Sequence, residues 1–326
     1  MILFLSNFCF ANDTAWVDHA GQIQFVQEPD VSIQKEVLEF ISGKDPYETF
    51  VRVTYLMKNE SDKGKEVEIA FPLPLLDVIG CTYPYSGPNC DNPKMKLFVD
   101  DKDVNGSWDV RMESADQKYT TRMSFRDLPG PEDYYFCDGH KAHTKENKKF
   151  CTKVFKKNCN ILKKETKKNK CQEAIGSLKL NRIFKWKYQF PKDKLIKVVH
   201  EYRPRRGGFS SKIGKDLPIY PENQGTVTGI KDSKDPFCIK EGDSNLQSSI
   251  GEYYPSWTTY ILRTGANWKG PINHFELIIR KKEDETVSTC FPGLKKINDT
   301  EFKSVLKNFN PTADILVGYF FKKLPN

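Results

Sequence analysis

The amino-acid sequence predicts an all-β protein, organised mainly as a β-sandwich with one cysteine- and lysine-rich insertion. Three observations support this fold class. Apolar and polar residues alternate in short segments, polar turns separate these segments, and the pattern returns after the insertion. The 326 residues are enough to bury the core of one large or two medium-sized domains.

The first eleven residues, MILFLSNFCFA, are apolar and uncharged, which is typical of the hydrophobic part and cleavage end of a secretory signal. Cys9 and Ala11 are the small residues expected near the cleavage site. A lipoprotein signal would instead acylate Cys9, but the preceding Phe8 is bulky for that role. No later segment has the roughly 20 consecutive apolar residues that a spanning helix needs. We therefore expect a periplasmic or secreted protein that does not span the membrane.

The segment after the signal predicts a series of strands. Residues 51–57 alternate between apolar and polar side chains, a polar turn follows, and residues 66–73 resume the alternation, so we expect a β-hairpin. Residues 16–26 and 31–41 predict one strand each before this hairpin. Residues 95–99 and 104–112 predict two strands that flank a turn at residues 100–103.

The second half of the chain predicts further strands and one ambiguous segment. The strands are expected at residues 183–190, 196–202, 258–264, 274–280 and 315–321. In residues 300–309, Phe302, Val305, Leu306 and Phe309 have helical spacing, and Thr300 could cap a helix. The chain therefore divides into a signal (1–11), an N-terminal β-sandwich part (12–129), the insertion (130–176) and a C-terminal β-rich part (177–326).

The positive charge of the chain is concentrated in the insertion. Residues 141–170 contain twelve lysines against two acids, Glu146 and Glu165, a net charge of +10 in a chain whose total is +8. The rest of the chain is therefore close to neutral. Clustered lysines attract polyanions through an interaction that salt screens, so this segment predicts an anionic partner. A solvated loop without a partner is the alternative.

Removal of Cys9 with the signal leaves eight cysteines, an even number that favours disulfides in an exported protein. Cys81 and Cys90 are nine positions apart in a loop rich in Pro, Gly and Asn, so they are expected to pair. The insertion cysteines are expected to pair among themselves: Cys137, Cys151, Cys159 and Cys171. We expect the remaining two, Cys238 and Cys290, to form a disulfide.

Two segments carry residues of metal-ligand type, and neither pattern is complete. Asp101, Asp103, Asn105 and Asp109 match ligand positions of a calcium loop, but Met112 occupies the place of the usual bidentate Glu, so we predict no bound calcium. Zinc could bind the soft ligands of the insertion, which are Cys137, His140, His143 and Cys151. Their spacing matches no common zinc motif, and an oxidising compartment favours disulfides.

Several stretches together resemble one family of bacterial exported proteins, the DUF4424 domain family. They are DVSIQKEVLEFIS, VRVTYLMKN with VEIAFPLP, HEYRPRRGGF, YILRTGANWKGPINHFELII and VSTCFPGLKKI. The resemblance covers roughly residues 12–110 and 180–326, and the TGANW–GPI segment is its most specific part. It implies a periplasmic β-rich protein and supplies no catalytic residues. The insertion departs from the family pattern.

Two groups in the family-like part are candidate ligand-binding residues. Asn267 and Trp268 could form a binding platform, with the indole stacking and the amide hydrogen-bonding. Alternatively, Trp268 plugs a strand-to-strand corner whose turn Gly265, Gly270 and Pro271 allow. Three arginines beside a glycine pair could hold a phosphate or carboxylate, or could lie in a solvated loop: Arg203, Arg205 and Arg206.

These observations favour a non-enzymatic binding or structural module. The sequence lacks a G-x-S-x-G elbow, an H-E-x-x-H motif and a P-loop, so it nominates no catalytic residues and no cofactor. The expected partner is an anionic envelope component or an acidic protein, and the exported compartment argues against nucleic acid. The alternative is an envelope hydrolase whose site is assembled from loops.

Overall fold

The computed structural model describes residues 13–19, 22–44, 48–77, 93–113, 120–122, 179–204, 206–208, 235, 237–239 and 252–322. This part of the chain is all-β, as the sequence predicts, with three sheets and a 3₁₀ helix at Arg263–Asn267. The strands are β1 (Thr14–His19), β2 (Gln22–Val26), β3 (Val31–Ser42), β4 (Thr49–Asn59), β5 (Lys65–Pro72), β6 (Leu76–Asp77), β7 (Lys96–Val99), β8 (Lys102–Asp103), β9 (Ser107–Glu113), β10 (Thr120–Arg122), β11 (Lys179–Phe190), β12 (Leu195–Tyr202), β13 (Gly207–Gly208), β14 (Tyr254–Tyr260), β15 (Ile272–Arg280), β16 (Glu285–Ser288), β17 (Lys295–Lys296), β18 (Glu301–Phe309) and β19 (Ile315–Phe321).

The three sheets have different sizes, and the two larger ones combine strands from before and after the insertion. The eight-stranded sheet has the order β17-β18-β15-β3-β4-β12-β7-β8, and its pairs are antiparallel except β15 with β3. The seven-stranded sheet has the order β10-β9-β11-β5-β1-β2, with β6 beside β11. The four-stranded sheet has the order β13-β14-β19-β16. Strands from before and after the insertion are thus direct neighbours within the two larger sheets.

The core lies where the inward faces of these sheets meet. In β4, Val51, Val53, Tyr55 and Met57 are fully buried and the residues between them are half-buried, which is the predicted alternation. The seven-stranded sheet contributes Ile69, Phe71 and Trp186 to the same cluster, and the four-stranded sheet contributes Tyr260, Val317 and Tyr319. Burial of these large side chains is the main favourable term for the fold.

The predicted hairpin of β4 and β5 is wrong. β4 pairs with β3 and β12 in the eight-stranded sheet, whereas β5 pairs with β1 and β11 in the seven-stranded sheet. The turn between them crosses from one sheet to the other. Its shape depends on the buried Asn59, whose Nδ2 donates to the carbonyls of Lys63 (2.9 Å) and Phe190 (3.1 Å). Alternation fixes which face of a strand is buried, but not the sheet to which it belongs.

Two other predicted segments also differ in the structure. Residues 16–26 contain two strands, β1 and β2, which pair antiparallel from Ala15 with Val26 to His19 with Gln22. Residues 301–309 form strand β18, which pairs with β15, so the helical alternative is wrong. The buried Ser304 lies opposite the core-facing Leu277, while Val305 is exposed on the other face of the strand. The adjacent Val305 and Leu306 produced the helical spacing although they lie on opposite faces.

Helices are scarce in the described ranges, and none there is long and apolar enough to cross a membrane. The described cysteines, Cys238 and Cys290, form the disulfide that the sequence predicts. The bridge attaches residues 237–239 to the segment after β16. Next to it, the buried Phe237 contacts Phe320 of β19 edge-on, with ring centroids 5.6 Å apart. The disulfide therefore holds the Phe237 ring against the four-stranded sheet.

Candidate functional site

A carboxylate and an imidazole are buried in contact with each other inside the sandwich. Asp13 immediately precedes β1, and His200 lies in β12 between β4 and β7. The Nε2 atom of His200 lies 2.7 Å from Oδ2 of Asp13, and both side chains are 0% exposed. A hydrogen bond of this length to a carboxylate is among the stronger polar contacts in proteins. The pair joins the first described residue to the middle of the eight-stranded sheet.

Aromatic rings enclose this pair on several sides. The Phe71 ring stacks on the His200 imidazole with centroids 4.9 Å apart, while Tyr55 and Trp186 each approach it edge-on at 6.1 Å. The buried Asp13 Oδ1 and His200 Nδ1 atoms have no hydrogen-bond partner in the described part of the chain. An unpaired buried polar atom costs about 1–3 kcal/mol of desolvation, and the apolar packing around the pair must offset this cost.

Two tyrosine hydroxyls extend the polar group toward the four-stranded sheet. The hydroxyls of Tyr55 and Tyr260 are 3.2 Å apart, and Glu36 on β3 is also 0% exposed. Burial raises the pKa of both tyrosines well above the ordinary value, and the nearby Glu36 carboxyl raises it further. Both phenols therefore remain neutral. These groups could transfer protons, but in this conformation all of them are closed to solvent, so we interpret them as a structural polar core.

The TGANW segment forms a buried corner over the start of β1. Strand β14 ends at Tyr260, earlier than predicted, and the 3₁₀ helix leads into Trp268, which is 2% exposed. The indole Nε1 donates to the carbonyl oxygen of Asp13 at 2.6 Å. The side-chain amide of Asn267 donates to Thr14 Oγ1 at 3.0 Å, and the backbone carbonyl of Asn267 accepts from the backbone N–H of Glu28 at 2.7 Å. In this arrangement both candidate platform residues bond to the start of the N-terminal strand, with Trp268 buried and Asn267 half-buried.

Comparison with protein-family models gives one match over nearly the whole chain. The model of a domain of unknown function, DUF4424, matches residues 11–317. The chain belongs to the DUF4424 family. No curated protein matches it.

Several solved structures resemble this DUF4424 chain at low sequence identity. A candidate nutrient-binding protein from Legionella pneumophila is 12% identical at a TM-score of 0.48, over 95% of this chain and 70% of that protein. An M1 zinc metallopeptidase from Deinococcus radiodurans is 9% identical at 0.32, over 90% of this chain and 44% of the peptidase. Yeast LTA4 hydrolase is 8% identical at a TM-score of 0.36, over 89% of this chain and 28% of the hydrolase. These likenesses carry no inference about function.

The arginine group of the DUF4424 chain is divided between surface and interior. Arg203 is exposed, pairs with Glu48 at 3.1 Å and lies over the Phe50 ring, while Arg205 lies outside the described residues. Arg206 is buried. Its guanidinium donates to Glu285 at 3.0 Å, to Ser42 at 2.7 Å and to Thr49 at 2.9 Å. It therefore joins the four-stranded sheet to the eight-stranded sheet, whereas Arg203 lies at the surface.

The Arg206 guanidinium also lies over the ring of Tyr319, 3.5 Å from the centroid. Burial raises the pKa of Tyr319 to about 12, although the nearby Arg206 lowers it. The phenol therefore stays neutral, and the positive charge of Arg206 is balanced by the Glu285 carboxylate, which is also buried. A desolvated cation above an aromatic face is a favourable contact.

The candidate calcium residues do not surround one point. Asp100 and Asp101 both have positive φ (48° and 64°) and form the two-residue turn between β7 and β8. Asp101 binds Lys197 at 2.8 Å, and Asp103 is exposed in β8. Asp109 lies in β9 of the other sheet, where it accepts hydrogen bonds from Arg111 and Lys185, each at 2.8 Å. The described ranges contain no cluster of His, Cys, Asp or Glu suited to a metal ion.

The buried Asp109 carboxylate is strongly stabilised in its ionised form. Burial alone would raise its pKa, but the hydrogen bonds and charges of Arg111 and Lys185 lower the pKa to about 2. A cation would have to displace these two positive partners. The local chemistry of Asp109 thus favours a structural ion pair, and the absence of bound calcium stays a prediction.

The outward face of the eight-stranded sheet carries a row of alternating charges that we call the charge row. It consists of Glu201, Arg52, Glu39, Arg280 and Glu301, on five neighbouring strands. Each arginine contacts the carboxylates on both sides, at 2.5–3.9 Å. Beside the row, Glu276 binds three further groups: Lys35 at 2.8 Å, Lys303 at 2.7 Å and His274 at 2.7 Å. The charges of the row and around Glu276 are therefore mutually paired.

The remaining sequence-predicted sites lie outside the described residues. They are the pair Cys81–Cys90, the insertion cysteines Cys137, Cys151, Cys159 and Cys171, and the possible zinc ligands His140 and His143. The structure adds two groups that sequence reasoning did not nominate, the Asp13–His200 pair and the Arg206–Glu285 pair. A histidine inside the apolar alternation of KVVHEY was the available signal for His200. Nothing local could identify its partner, 187 positions away.

Proposed function

We propose that the protein is a non-enzymatic binding module of the bacterial envelope, exported after loss of residues 1–11, whose insertion docks on an anionic lipid surface. The net charge of +10 in residues 141–170 carries this proposal. These residues lie outside the described ranges, so the argument rests on their composition. A polybasic segment gains about 1 kcal/mol per lysine near an anionic membrane surface.

The paired charges of the sandwich support the insertion as the contact. In the charge row and around Glu276, positive groups lie within 4 Å of carboxylates, so their fields largely cancel at a distance. Residues 141–170 of the insertion have one acid for every six lysines. Their charge cannot be cancelled in the same way. The hydrolase alternative has no supporting observation in the described part of the chain.

A matched pair of charge variants tests this proposal. In the first variant, six insertion lysines become Gln: Lys156, Lys157, Lys163, Lys164, Lys167 and Lys168. In the control, six exposed sandwich lysines become Gln: Lys63, Lys94, Lys96, Lys192, Lys194 and Lys307. Both variants change the net charge equally, so only the position of the charge differs.

Binding to vesicles containing an anionic phospholipid is measured by sedimentation at low and high salt, with zwitterionic vesicles as the blank. We expect the insertion variant to bind at least about tenfold more weakly and the control to change by less than about threefold. Equal losses would show that only net charge matters. Unchanged binding of the insertion variant would exclude the segment as the contact. If the native protein does not bind these vesicles, an acidic protein partner is favoured instead.

Export is tested separately by N-terminal sequencing of the protein recovered from the periplasm or medium. A mature chain that begins at Asn12 supports cleavage after Ala11. A chain that still carries residues 1–11 in the cytoplasm contradicts it.

A further inference from the structure

The connection between β8 and β9 contains the one Asn-Gly pair in the sequence, Asn105-Gly106. Both residues are exposed and lie between strands. β8 belongs to the eight-stranded sheet and β9 to the seven-stranded sheet, so this short connection carries the chain from one sheet to the other. An asparagine followed by glycine is the dipeptide in which backbone attack on a side-chain amide is least hindered.

The side chain of Asn105 is unrestrained, unlike those of several other asparagines in the described ranges. It has no hydrogen-bond partner there. Asn59 and Asn267 donate from their amides to neighbouring groups, and Asn298 accepts from the backbone and hydroxyl of Thr300 at 2.9 and 3.1 Å. An amide held in this way cannot rotate freely toward the next backbone nitrogen. The Asn105 amide can.

The fold itself requires glycine at position 106. A Cβ atom there would lie 2.2 Å from Cζ of Phe184, whose ring is 5% exposed and packs edge-on against Trp108 with centroids 5.2 Å apart. Any larger residue would have to displace this buried ring. The packing of Phe184 therefore preserves the reactive dipeptide.

We propose that Asn105 is a site of spontaneous, intramolecular deamidation in the folded protein. The backbone nitrogen of Gly106 gives up its proton to hydroxide and attacks Cγ of Asn105. The Cγ–Nδ2 bond breaks, and ammonia leaves with a proton from water. The product is a five-membered succinimide ring.

Hydrolysis of the succinimide completes the reaction. Water adds to one of its two carbonyls and breaks the bond from that carbonyl to the ring nitrogen. Attack at Cγ gives aspartate, and attack at the main-chain carbonyl gives isoaspartate. Overall, one water is consumed and one ammonia is released, without oxidation or reduction.

The product changes the connection between the sheets in two ways. It adds one negative charge, and isoaspartate adds one carbon atom to the backbone path. The connection is fixed on both sides, because the backbone of Val104 donates to the carbonyl of Leu97 at 2.9 Å and Trp108 packs on Phe184. The added length must therefore be absorbed at residues 105–106, where the chain is exposed.

Peptide mapping of the full-length folded protein tests this proposal. The protein is incubated at neutral and at mildly alkaline pH, and the peptides that carry Asn105 and Asn298 are followed by mass spectrometry. We expect the amide-to-carboxylate mass change at Asn105 to be at least about tenfold faster than at Asn298, a barrier lower by at least about 1.4 kcal/mol. The rate should rise with pH, and part of the product should be isoaspartate that an isoaspartyl methyltransferase labels.

Asn105→Gln is the control variant, because its longer side chain would have to form a less favourable six-membered ring. It should abolish the mass change without altering thermal stability, since Asn105 is exposed. Three results would overturn the proposal: equal rates at Asn105 and Asn298, a product without isoaspartate, or reaction at Asn105 only after the protein has been unfolded.

Discussion

The charge row and the Arg206–Glu285 pair contain the same kinds of side chain at similar distances, but in different surroundings. In the charge row, Arg52 lies 2.8 Å from Glu201 and its side chain is 40% exposed. Arg206 lies 3.0 Å from Glu285, and both side chains are 0% exposed. Exposed pairs contribute about 0–1 kcal/mol because water solvates the separated charges well. A buried charge that loses its partner finds no such solvation, so burial decides how much each pair matters.

Trp268 is buried and uncharged, so the stability lost on its removal is the reference for the buried ion pair. We expect Trp268→Ala to lower the free energy of unfolding by about 3–5 kcal/mol, because it removes a buried aromatic ring and leaves a cavity. The carbonyl of Asp13 also loses its indole donor. Urea denaturation measures the change. Unaltered stability together with loss of a ligand interaction would instead favour the platform hypothesis.

Removal of one partner of the Arg206–Glu285 pair tests whether a buried ion pair matters more for stability than an exposed one. Glu285→Ala should destabilise the protein by about 3–5 kcal/mol, because the Arg206 guanidinium remains buried without its carboxylate. Replacing both residues, Arg206→Met with Glu285→Leu, should recover much of this loss, since no buried charge is then left unpaired. The same denaturation assay applies. If Glu285→Ala lowered the free energy of unfolding no more than a substitution in the exposed charge row does, burial would not explain the difference between the two groups.

Glu276 shows whether several hydrogen-bond partners can make an outward-facing carboxylate contribute to the stability of the fold. Burial alone would raise its pKa, but hydrogen bonds from Lys303, Lys35 and His274 lower the pKa from 4.5 to about 2. The folded protein therefore binds this proton more weakly than the unfolded chain does. The resulting stabilisation is present above pH 4.5 and is lost as the pH falls toward about 2.

Thermal unfolding across this acidic range checks the expectation. Glu276→Gln should flatten the dependence of the melting temperature on pH, whereas Glu301→Gln, which removes a carboxylate that contacts Arg280, serves as the matched control. An identical acid dependence in the native protein and in Glu276→Gln would refute the role of this carboxylate.

The smallest effect is expected within the charge row. Arg52→Gln should change the free energy of unfolding by at most about 1 kcal/mol, because both of its partners remain accessible to water. The difference should shrink as salt is added. A loss of several kcal/mol that persists at high salt would show that the row acts as a cooperative network.

The sequence was sufficient to predict burial along individual strands but not their arrangement. The alternation in residues 51–57 gave the correct buried face of β4, since side-chain direction follows directly from backbone geometry. It could not show that the next strand joins another sheet, because this depends on partners such as β11, more than a hundred residues further along the chain. Likewise, residues 300–309 were ambiguous because propensity and spacing do not include the ladder with β15.

The candidate sites were likewise predictable only where the sequence itself limited the possible partners. The disulfide between Cys238 and Cys290 was predicted correctly because each of the other cysteines had been assigned a nearer partner, and this left one combination. Arg206 looked like a loop residue because its carboxylate partner is 79 positions away. Contacts between distant residues appear only once the sheets are assembled.

The pairing of early with late strands within the two larger sheets also constrains how the protein can be made. β3 has β15 as a neighbour and β5 has β11, so neither β3 nor β5 is paired on both edges until residues 179–280 have been synthesised. An emerging N-terminal half would hold open sheet edges, which are prone to aggregation. Completion of the native sheets must therefore wait until most of the polypeptide has been released, and the nascent chain needs protection until then.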